Sequence, residues 1–327
     1  MLFVTNRVLK EGPTPYNPDG SLGVPRQVNF DLKNNQAEQS VYFCRRDGAG
    51  NYTEIGSQTF FNELRNSACK QLVFFLHGYS SLPEPAIFPR ANELQRLFDR
   101  KSNGYMQVIP LIWPCDDDLG AVKDYFDDQV AADASAFAFA RMFQKFLSWR
   151  DEHSTLEDPC VKPLNILAHS MGNRVLRGAL LRSVEYYQPA GVPLVFRNTF
   201  MAAADIENTS LDIDREGRLI TDASRNVVVY YAADDLAMRA SKIANGNPTS
   251  RRMGHTGPAR MENVAVNVFS IDCGDFNNDY DPPTGHGYFA SDPQGNPGIV
   301  FNHIWECVRT GRVPTRTQGV RRFILTP

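Results

Sequence analysis

The chain has 327 residues, of which 42% are hydrophobic and 22% are charged. This mixture is typical of a globular protein, so a wholly disordered chain is excluded. Its 34 Lys and Arg residues against 37 Asp and Glu residues give a formal net charge of −3. Because this balance implies no broad basic surface, we expect no nucleic-acid partner and no attraction to an anionic membrane.

The cysteines and the first residues bear on the compartment. Six cysteines are present and none forms a C-x-x-C pair, which argues against zinc-finger and thioredoxin-like sites. The first seven residues lack the basic segment and long apolar core of a signal peptide. The longest apolar run falls far short of the ~18 residues that a membrane span needs. We therefore expect a cytoplasmic protein with reduced cysteines and no integral membrane segment.

Residues 1–70 are rich in turn formers. Short strand-like runs occur at Val28–Leu32 and Ser40–Cys44, and Asp47–Asn51 (DGAGN) is typical of a hairpin turn. We predict an antiparallel or irregular lead-in to the main sheet, not a linker.

From residue 71 onward, apolar runs alternate with helical patterns. The predicted strands are Leu72–Leu76, Val108–Trp113, Leu164–Ala168, Leu194–Met201, Asn226–Tyr231 and Val264–Ile271. The predicted helices are 86–101, 119–150, 171–186, 235–245 and 298–310. Because parallel strands need long crossovers, this alternation predicts an α/β protein with a mostly parallel, doubly wound sheet and helices on both faces. Only the 24 residues 202–225 separate Met201 from Asn226, too few for a large helical lid, so we expect an open site.

The sharpest motif is Ala168-His169-Ser170-Met171-Gly172, which follows an apolar strand and opens a helical pattern. A serine nucleophile must stand at the tip of a tight strand-to-helix turn, and small residues on both sides let the backbone pass. The motif therefore predicts a nucleophile elbow with Ser170 as the nucleophile. The alternative is a simple helix start at which Ser170 caps the helix.

An earlier strand ends in Leu76-His77-Gly78-Tyr79. A loop that begins His-Gly at this place often supplies the second donor of an oxyanion hole. We predict that the N–H groups of Tyr79 and Met171 form the hole, with His77, Gly78 and Gly172 in supporting roles.

A serine nucleophile also needs an acid and a base, which follow it in the chain in folds of this kind. Position excludes five of the six histidines as the base, namely His77, His153, His169, His255 and His303. The sixth, His286, lies between the last strand and the last helix, where the base belongs. Asp234 and Asp235 follow one strand and Asp205 follows the preceding one, so all three are candidates for the acid.

Together these motifs resemble a known family. The motifs that carry the resemblance, in chain order, are Leu76-His77-Gly78-Tyr79, Trp113-Pro114, Ala168–Asn173 (AHSMGN), Ala204-Asp205-Ile206, Asp235–Met238 (DLAM) and Gly285–Phe289 (GHGYF). They are similar to the α/β-hydrolase family labelled domain of unknown function 900, a group of esterase- or lipase-like serine hydrolases, over most of residues 1–310. The opening Phe3–Arg7 resembles that family's first strand.

The resemblance implies the α/β-hydrolase fold and favours Asp235 as the acid and His286 as the base. The family usually has a serine after the histidine, where this chain has Gly287. It also implies a single domain over 1–327, with N-terminal strands and loops at 1–70, a catalytic core at 71–310 and a tail at 311–327. The expected reaction is hydrolysis of a small-molecule carboxylic ester through an acyl-enzyme, with no cofactor and no metal.

Other functions stay open. A thioesterase, lipase or amidase would use the same triad, and a non-catalytic binding protein could use the same fold. Oxygen side chains alternate at Asp275, Asn277, Asp279 and Asp281 as in calcium loops, but the glycine and glutamate of such loops are missing, so we expect a solvated loop. No glycine-rich nucleotide motif follows a strand, which argues against a nucleotide cofactor.

Overall fold

The strands pair into one sheet in the computed structural model, which describes all residues except 18, 117–120, 156, 158–161, 245–250, 316 and 327, and except the side chains of 121–123 and 242–244. The strands in this described part are β1 (Leu2–Arg7), β2 (Arg26–Val28), β3 (Ala37–Gly48), β4 (Asn51–Glu54), β5 (Gln71–Leu76), β6 (Met106–Ile112), β7 (Leu164–His169), β8 (Phe196–Ala202), β9 (Ser224–Tyr231), β10 (Val268–Asp272) and β11 (Arg322–Ile324). The helices are α1 (Gly56–Asn66), α2 (Phe88–Lys101), α3 (Ala121–Glu152), α4 (Gly172–Tyr186), α5 (Arg218–Asp222), α6 (Leu236–Ala244), α7 (Met253–Thr256), α8 (Asn277–Tyr280) and α9 (Ile299–Thr310).

The strand order is β11-β10-β9-β8-β7-β5-β6-β1-β3-β4-β2. Every pair from β11 to β1 is parallel, whereas β1 with β3, β3 with β4, and β4 with β2 are antiparallel. The fold is therefore the predicted α/β class, with a mostly parallel sheet and an antiparallel lead-in. The carboxyl ends of β5, β7, β8 and β9 meet at one edge, where such sheets hold their sites.

Both faces of the sheet are covered. In β5, Leu72 and Phe74 join a core with the buried faces of α1, α3 and α4, while Val73 and Phe75 join a second core with α2 and α9. This alternation explains why the strand reads as a continuous apolar run, because a parallel strand between two helical layers has no solvent face.

Some boundaries differ from the predicted ones. The strand predicted from Val264 begins at Val268, because the N–H of Val268 closes a turn onto the carbonyl of Ala265. The strand predicted from Leu194 begins at Phe196, and Leu194 itself is exposed. A π-helical turn at Pro83–Ile87 precedes α2. Residues 119, 120 and 245 of the predicted helices lie outside the described part.

The structure also describes the predicted hairpin and the predicted C-terminal tail. The hairpin predicted at Asp47–Asn51 joins β3 to β4, with Gly48 opposite Asn51. The predicted tail, 311–327, supplies the edge strand β11, which pairs in parallel with β10.

Five cysteines in the described part are buried and unpaired; Cys160 lies outside it. No described helix combines the length and the apolar character that crossing a bilayer requires.

A buried ladder of amides ties four parallel strands together near their amino ends. Asn198 donates to Asn165 Oδ1 at 2.7 Å and accepts from Asn226 at 2.8 Å. Asn165 donates onward to the side chain of Gln71 at 3.1 Å. Since Asn165 and Asn198 are fully buried, each bond replaces water that these amides lose on folding.

We predict that Asn198→Ala lowers the free energy of unfolding by about 2 to 3 kcal/mol, because it leaves ladder amides buried without a partner. Urea denaturation followed by circular dichroism measures the change. The matched control is Asn66→Ala at an exposed position, which we expect to stay within about 0.5 kcal/mol of the parent. Equal stability of the two variants would contradict a structural role for the ladder.

Candidate active site

Ser170 occupies a tight turn between β7 and α4. Its φ of 51° lies in the left-handed region that non-glycine residues seldom adopt. The turn is fixed on both sides, since the Ser170 N–H donates to Ala202 O at 3.0 Å and its carbonyl accepts from the Asp205 N–H at 3.1 Å. This is the geometry of a nucleophile elbow, as the motif predicted.

Two other non-glycine residues in the described part have positive φ. Ser80 (φ 52°) follows β5 and Ala203 (φ 45°) follows β8. All three strained residues thus stand just beyond the carboxyl ends of neighbouring strands. Such strain concentrates at functional sites, where the surrounding structure holds it in place.

The predicted oxyanion loop packs directly on the elbow. A Cβ added at Gly172 would lie 2.7 Å from the carbonyl oxygens of both Leu76 and His77, and one at Gly78 would lie 3.1 Å from Ser170 Cβ. Gly172 therefore needs to be glycine because backbone approaches backbone without room for a side chain, whereas a side chain at Gly78 would press on the side chains of His169 and Ser170.

His77 is part of the scaffold of this loop. Its Nδ1 pairs with Gly78 O at 2.8 Å, its Nε2 accepts from the Trp113 N–H at 3.2 Å, and its ring stacks on the Trp113 indole. Burial lowers the pKa of His77 to about 3, so the ring stays neutral and keeps these bonds at physiological pH.

The two predicted oxyanion donors lie on the two sides of the contact between the elbow and the loop after β5: Met171 on the elbow and Tyr79 on the loop. Met171 is fully buried, and its N–H has no hydrogen-bond partner among the described residues. The Tyr79 ring packs edge-on against Tyr125 at 5.8 Å. A backbone N–H that is buried without a partner is uncommon, and at the start of a helix it is suited to stabilise negative charge.

His286 and Asp235 form a buried pair. His286 Nδ1 lies 2.7 Å from Asp235 Oδ2, and Asp235 Oδ1 accepts from the Met238 N–H at 3.0 Å. Burial alone lowers the pKa of His286, but the charge and hydrogen bond of Asp235 outweigh it and raise the pKa above the ordinary 6.5. The carboxylate thus fixes the ring and favours its cation.

The other side of this imidazole is unpaired. His286 Nε2 and Ser170 Oγ are both buried, and neither has a hydrogen-bond partner in the described part of the chain. The structure therefore does not contain a serine–histidine hydrogen bond. In serine hydrolases this contact is often loose without substrate and tightens in the reacting complex.

The loop that carries His286 is held by Asp281 and His169. Asp281 Oδ2 accepts from the N–H groups of His286 at 2.9 Å and Gly287 at 2.6 Å. His169 Nε2 lies 3.2 Å from the carbonyl of His286, and since burial lowers the pKa of His169 well below its usual value, the neutral ring can donate this bond.

The two other candidate acids have different partners. Asp234 accepts from the side chain of Asn278. Asp205 accepts from Tyr125 at 2.9 Å and Ser241 at 2.5 Å, and it pairs with Arg252 at 3.3 Å. Only Asp235 of the three hydrogen-bonds to His286 in the structure.

The site is more enclosed than the short connection after Met201 predicted, and the expectation of an open site is wrong for the described residues. Ser170 is 1% exposed and the His286 side chain 11%. The cause is the packing of the loop at Gly78 on the elbow and of the His286 loop on His169.

The acidic segment after β10, residues 275–281, fixes the backbone at Gly285 and His286. Asn277 donates to Gly285 O at 2.9 Å and Asp281 binds the backbone of His286. Within the described residues, no group of three or more His, Cys, Asp or Glu is arranged to hold a metal ion.

Sequence reasoning named Asn173 and Asp281 but missed the structural role of each. The Asn173 amide donates to the carbonyls of Ala168 at 2.9 Å and Ser170 at 3.1 Å, so it fixes the elbow from inside α4. The signal for Asn173 is an asparagine directly after the elbow glycine, on the buried face of α4. The signal for Asp281 is an aspartate five residues before His286.

We predict that Gly172→Ala destabilises the fold by about 1 to 3 kcal/mol, because the new methyl group must push α4 away from two carbonyl oxygens. Thermal and urea unfolding measure the loss. Gly48→Ala is the control, since a Cβ there meets nothing within 4 Å. If Gly172→Ala matched that control, the tight contact between elbow and loop would be disproved.

Comparison with known proteins agrees with this geometry. A family model described as alpha/beta hydrolase of unknown function (DUF900) matches residues 53–300. The matched range lies within the span expected from the sequence and includes the elbow, both candidate oxyanion donors, Asp235 and His286. No curated protein matches the chain. Since the match covers well over half of its residues, the chain belongs to the DUF900 family of alpha/beta hydrolases.

Proposed function

We propose that this chain is a serine hydrolase that cleaves carboxylic esters, with Ser170 as the nucleophile, His286 as the base and Asp235 as the acid. The observation that carries the proposal is the buried His286–Asp235 pair at 2.7 Å beside a serine in a left-handed elbow. Ser170 Oγ and His286 Nε2 are both buried and make no other hydrogen bond in the described part, so both remain available to each other and to a substrate, which supports the proposal further.

In the proposed reaction, Ser170 Oγ attacks the ester carbonyl while His286 Nε2 takes its proton. The ester C–O bond then breaks as His286 returns the proton to the leaving alcohol. Water then attacks the acyl-enzyme while His286 takes its proton, and His286 returns that proton to Ser170 Oγ as the acyl C–O bond breaks and the acid leaves. Asp235 holds the ring through Nδ1 and stabilises the imidazolium that forms in each half-reaction.

The negative charge that develops on the carbonyl oxygen needs donors already in place. We assign this role to the N–H groups of Met171 and Tyr79, at the start of α4 and in the loop after β5. Removal of one such donor typically costs ~10²–10³ in rate. Asp205 has another role in this proposal, since its oxygens bind Tyr125, Ser241 and Arg252.

We predict that the wild-type chain is labelled by a fluorophosphonate probe and that Ser170→Ala and His286→Ala are not. The probe phosphonylates only an activated serine. The matched control is Ser183→Ala, which removes another buried serine of α4 that bonds Ala179 O and should label like the wild type. A folded wild type that resists the probe would favour a non-catalytic binding protein.

We predict that Asp235→Asn lowers kcat/KM by ~10⁴, by analogy with the serine proteases. The pKa of the free-enzyme base should also fall, because the charge of Asp235 is the largest influence that opposes the effect of burial on His286. The acid limb of the kcat/KM profile should therefore move to lower pH. Asp205→Asn is the comparison, and a larger loss there than in Asp235→Asn would show that the acid is assigned wrongly.

A further inference from the structure

Ser80 directly follows Tyr79, whose N–H is assigned above to the oxyanion hole, and its backbone is strained. Its φ of 52° lies in the left-handed region, which a serine adopts only where the surrounding structure holds it there. The N–H of Ser80 donates to Asp128 Oδ2 at 2.8 Å. Asp128 therefore helps to hold the strained residue next to the assigned donor.

The two peptide groups that flank Tyr79 are held by different parts of the chain. The preceding one contains the Gly78 carbonyl and the Tyr79 N–H, and His77 Nδ1 pairs with that carbonyl at 2.8 Å. The following one contains the Tyr79 carbonyl and the Ser80 N–H, and Asp128 binds that N–H. His77 belongs to the same loop, whereas Asp128 lies on α3. The bond from Asp128 thus fixes the loop relative to a helix outside it.

Helix α3 contacts this loop at two positions on one face. The Tyr125 ring packs edge-on against the Tyr79 ring at 5.8 Å, and Asp128 follows three residues later, which places it on the same face of the helix. Asp128 is fully buried. Its other oxygen, Oδ1, accepts from Asn35 Nδ2 at 3.1 Å, so both oxygens of this carboxyl group have donors.

The surroundings of Asp128 disfavour a charged group. Burial raises the pKa of Asp128 to about 7, and the charges of Asp116 and Asp124 act in the same direction, while the hydrogen bond from the Ser80 N–H opposes them. A buried carboxylate beside other acids costs free energy unless hydrogen-bond donors offset the water it loses. The Ser80 N–H is such a donor, so the carboxyl group and the loop stabilise each other.

We propose that Asp128 is a positioning residue for the oxyanion hole: its bond to Ser80 holds the loop after β5 so that the Tyr79 N–H can donate to the oxyanion. Asp128 does not touch the substrate and acts through Ser80. This inference rests on the proposed function, because it concerns a donor for ester hydrolysis. Since the oxyanion exists only near the transition state, loss of Asp128 should lower kcat and leave KM nearly unchanged.

The test is steady-state hydrolysis of p-nitrophenyl butyrate by the full chain, as wild type and as Asp128→Ala. We expect Asp128→Ala to lower kcat at least about tenfold, which is part of the ~10²–10³ lost when such a donor is removed outright. Because both half-reactions form an oxyanion, KM should stay within about threefold of the wild-type value. The rate of fluorophosphonate labelling should fall in parallel with kcat, since the phosphonyl oxygen occupies the same hole.

The conservative variant Asp128→Asn should restore kcat to within about threefold of the wild type, because an amide oxygen still accepts from the Ser80 N–H. The new amide would place a donor opposite Asn35. Asn35 Oδ1 has no hydrogen-bond partner in the described part, so the Asn35 amide can turn over and accept. If Asp128→Ala unfolds, Asp128→Leu takes its place, since leucine is similar in shape and has no acceptor.

The matched control is Asp212→Ala, which removes another buried carboxylate. Asp212 bridges to Val264, on the amino side of β10, whereas Ser170 lies at the carboxyl edge of the sheet. This variant should keep the wild-type kcat even where it lowers the free energy of unfolding, so it separates lost stability from a misplaced loop.

A wild-type kcat in Asp128→Ala, or an equal loss of kcat in Asp128→Ala and either Asp128→Asn or Asp212→Ala, would overturn the role of Asp128. A wild type that neither hydrolyses the ester nor reacts with the fluorophosphonate would overturn the proposed function and this inference with it. The two failures are distinguishable, because the second is measured on the wild type alone.

Discussion

The close approach of the nucleophile elbow to the loop after β5 is the contact on which the rest of the site depends. At Gly172 the backbone of α4 lies so near the carbonyls of Leu76 and His77 that a Cβ would be 2.7 Å from both oxygens. This contact brings the helix N-terminus, the serine and the His-Gly loop to one place. His169, the residue before the serine, binds the carbonyl of His286. The same turn therefore also fixes the position of the loop that carries His286.

Around this turn the protein distributes three buried or half-buried carboxylates with distinct partners. Asp235 hydrogen-bonds to the imidazole of His286. Asp281 accepts from backbone N–H groups of the loop that carries His286. Asp205 accepts from Tyr125 and Ser241 and forms an ion pair with Arg252. Burial raises the pKa of Asp281, but its hydrogen bonds to Thr284, Gly287 and His286 outweigh this and lower it. Donors thus replace the water that each carboxylate loses on burial, and only Asp235 of the three hydrogen-bonds to the ring of His286.

The sheet and its helical layers were predictable, and the candidate site residues could be named, because each follows from a local rule. A strand covered on both faces must be apolar throughout, as at Leu72–Leu76, and an elbow must have small residues beside the serine, as at Ala168 and Gly172. The choice among Asp205, Asp234 and Asp235 was not predictable from strand ends alone, since all three follow strands. In the structure only Asp235 of the three hydrogen-bonds to His286. The enclosure of Ser170 was missed because it arises when loops that are distant in sequence pack together.

The pattern of local costs also argues for function over scaffold. Positive φ at Ser80, Ser170 and Ala203 raises the free energy of the fold by of order 1 kcal/mol or more for each residue. Ser170 Oγ and His286 Nε2, buried without partners, add the penalty of unsatisfied polar groups, about 1 to 3 kcal/mol apiece. The three strained residues all lie at the carboxyl edge of the sheet, beside Ser170 Oγ and His286 Nε2, and this clustering agrees with the reacting site proposed above.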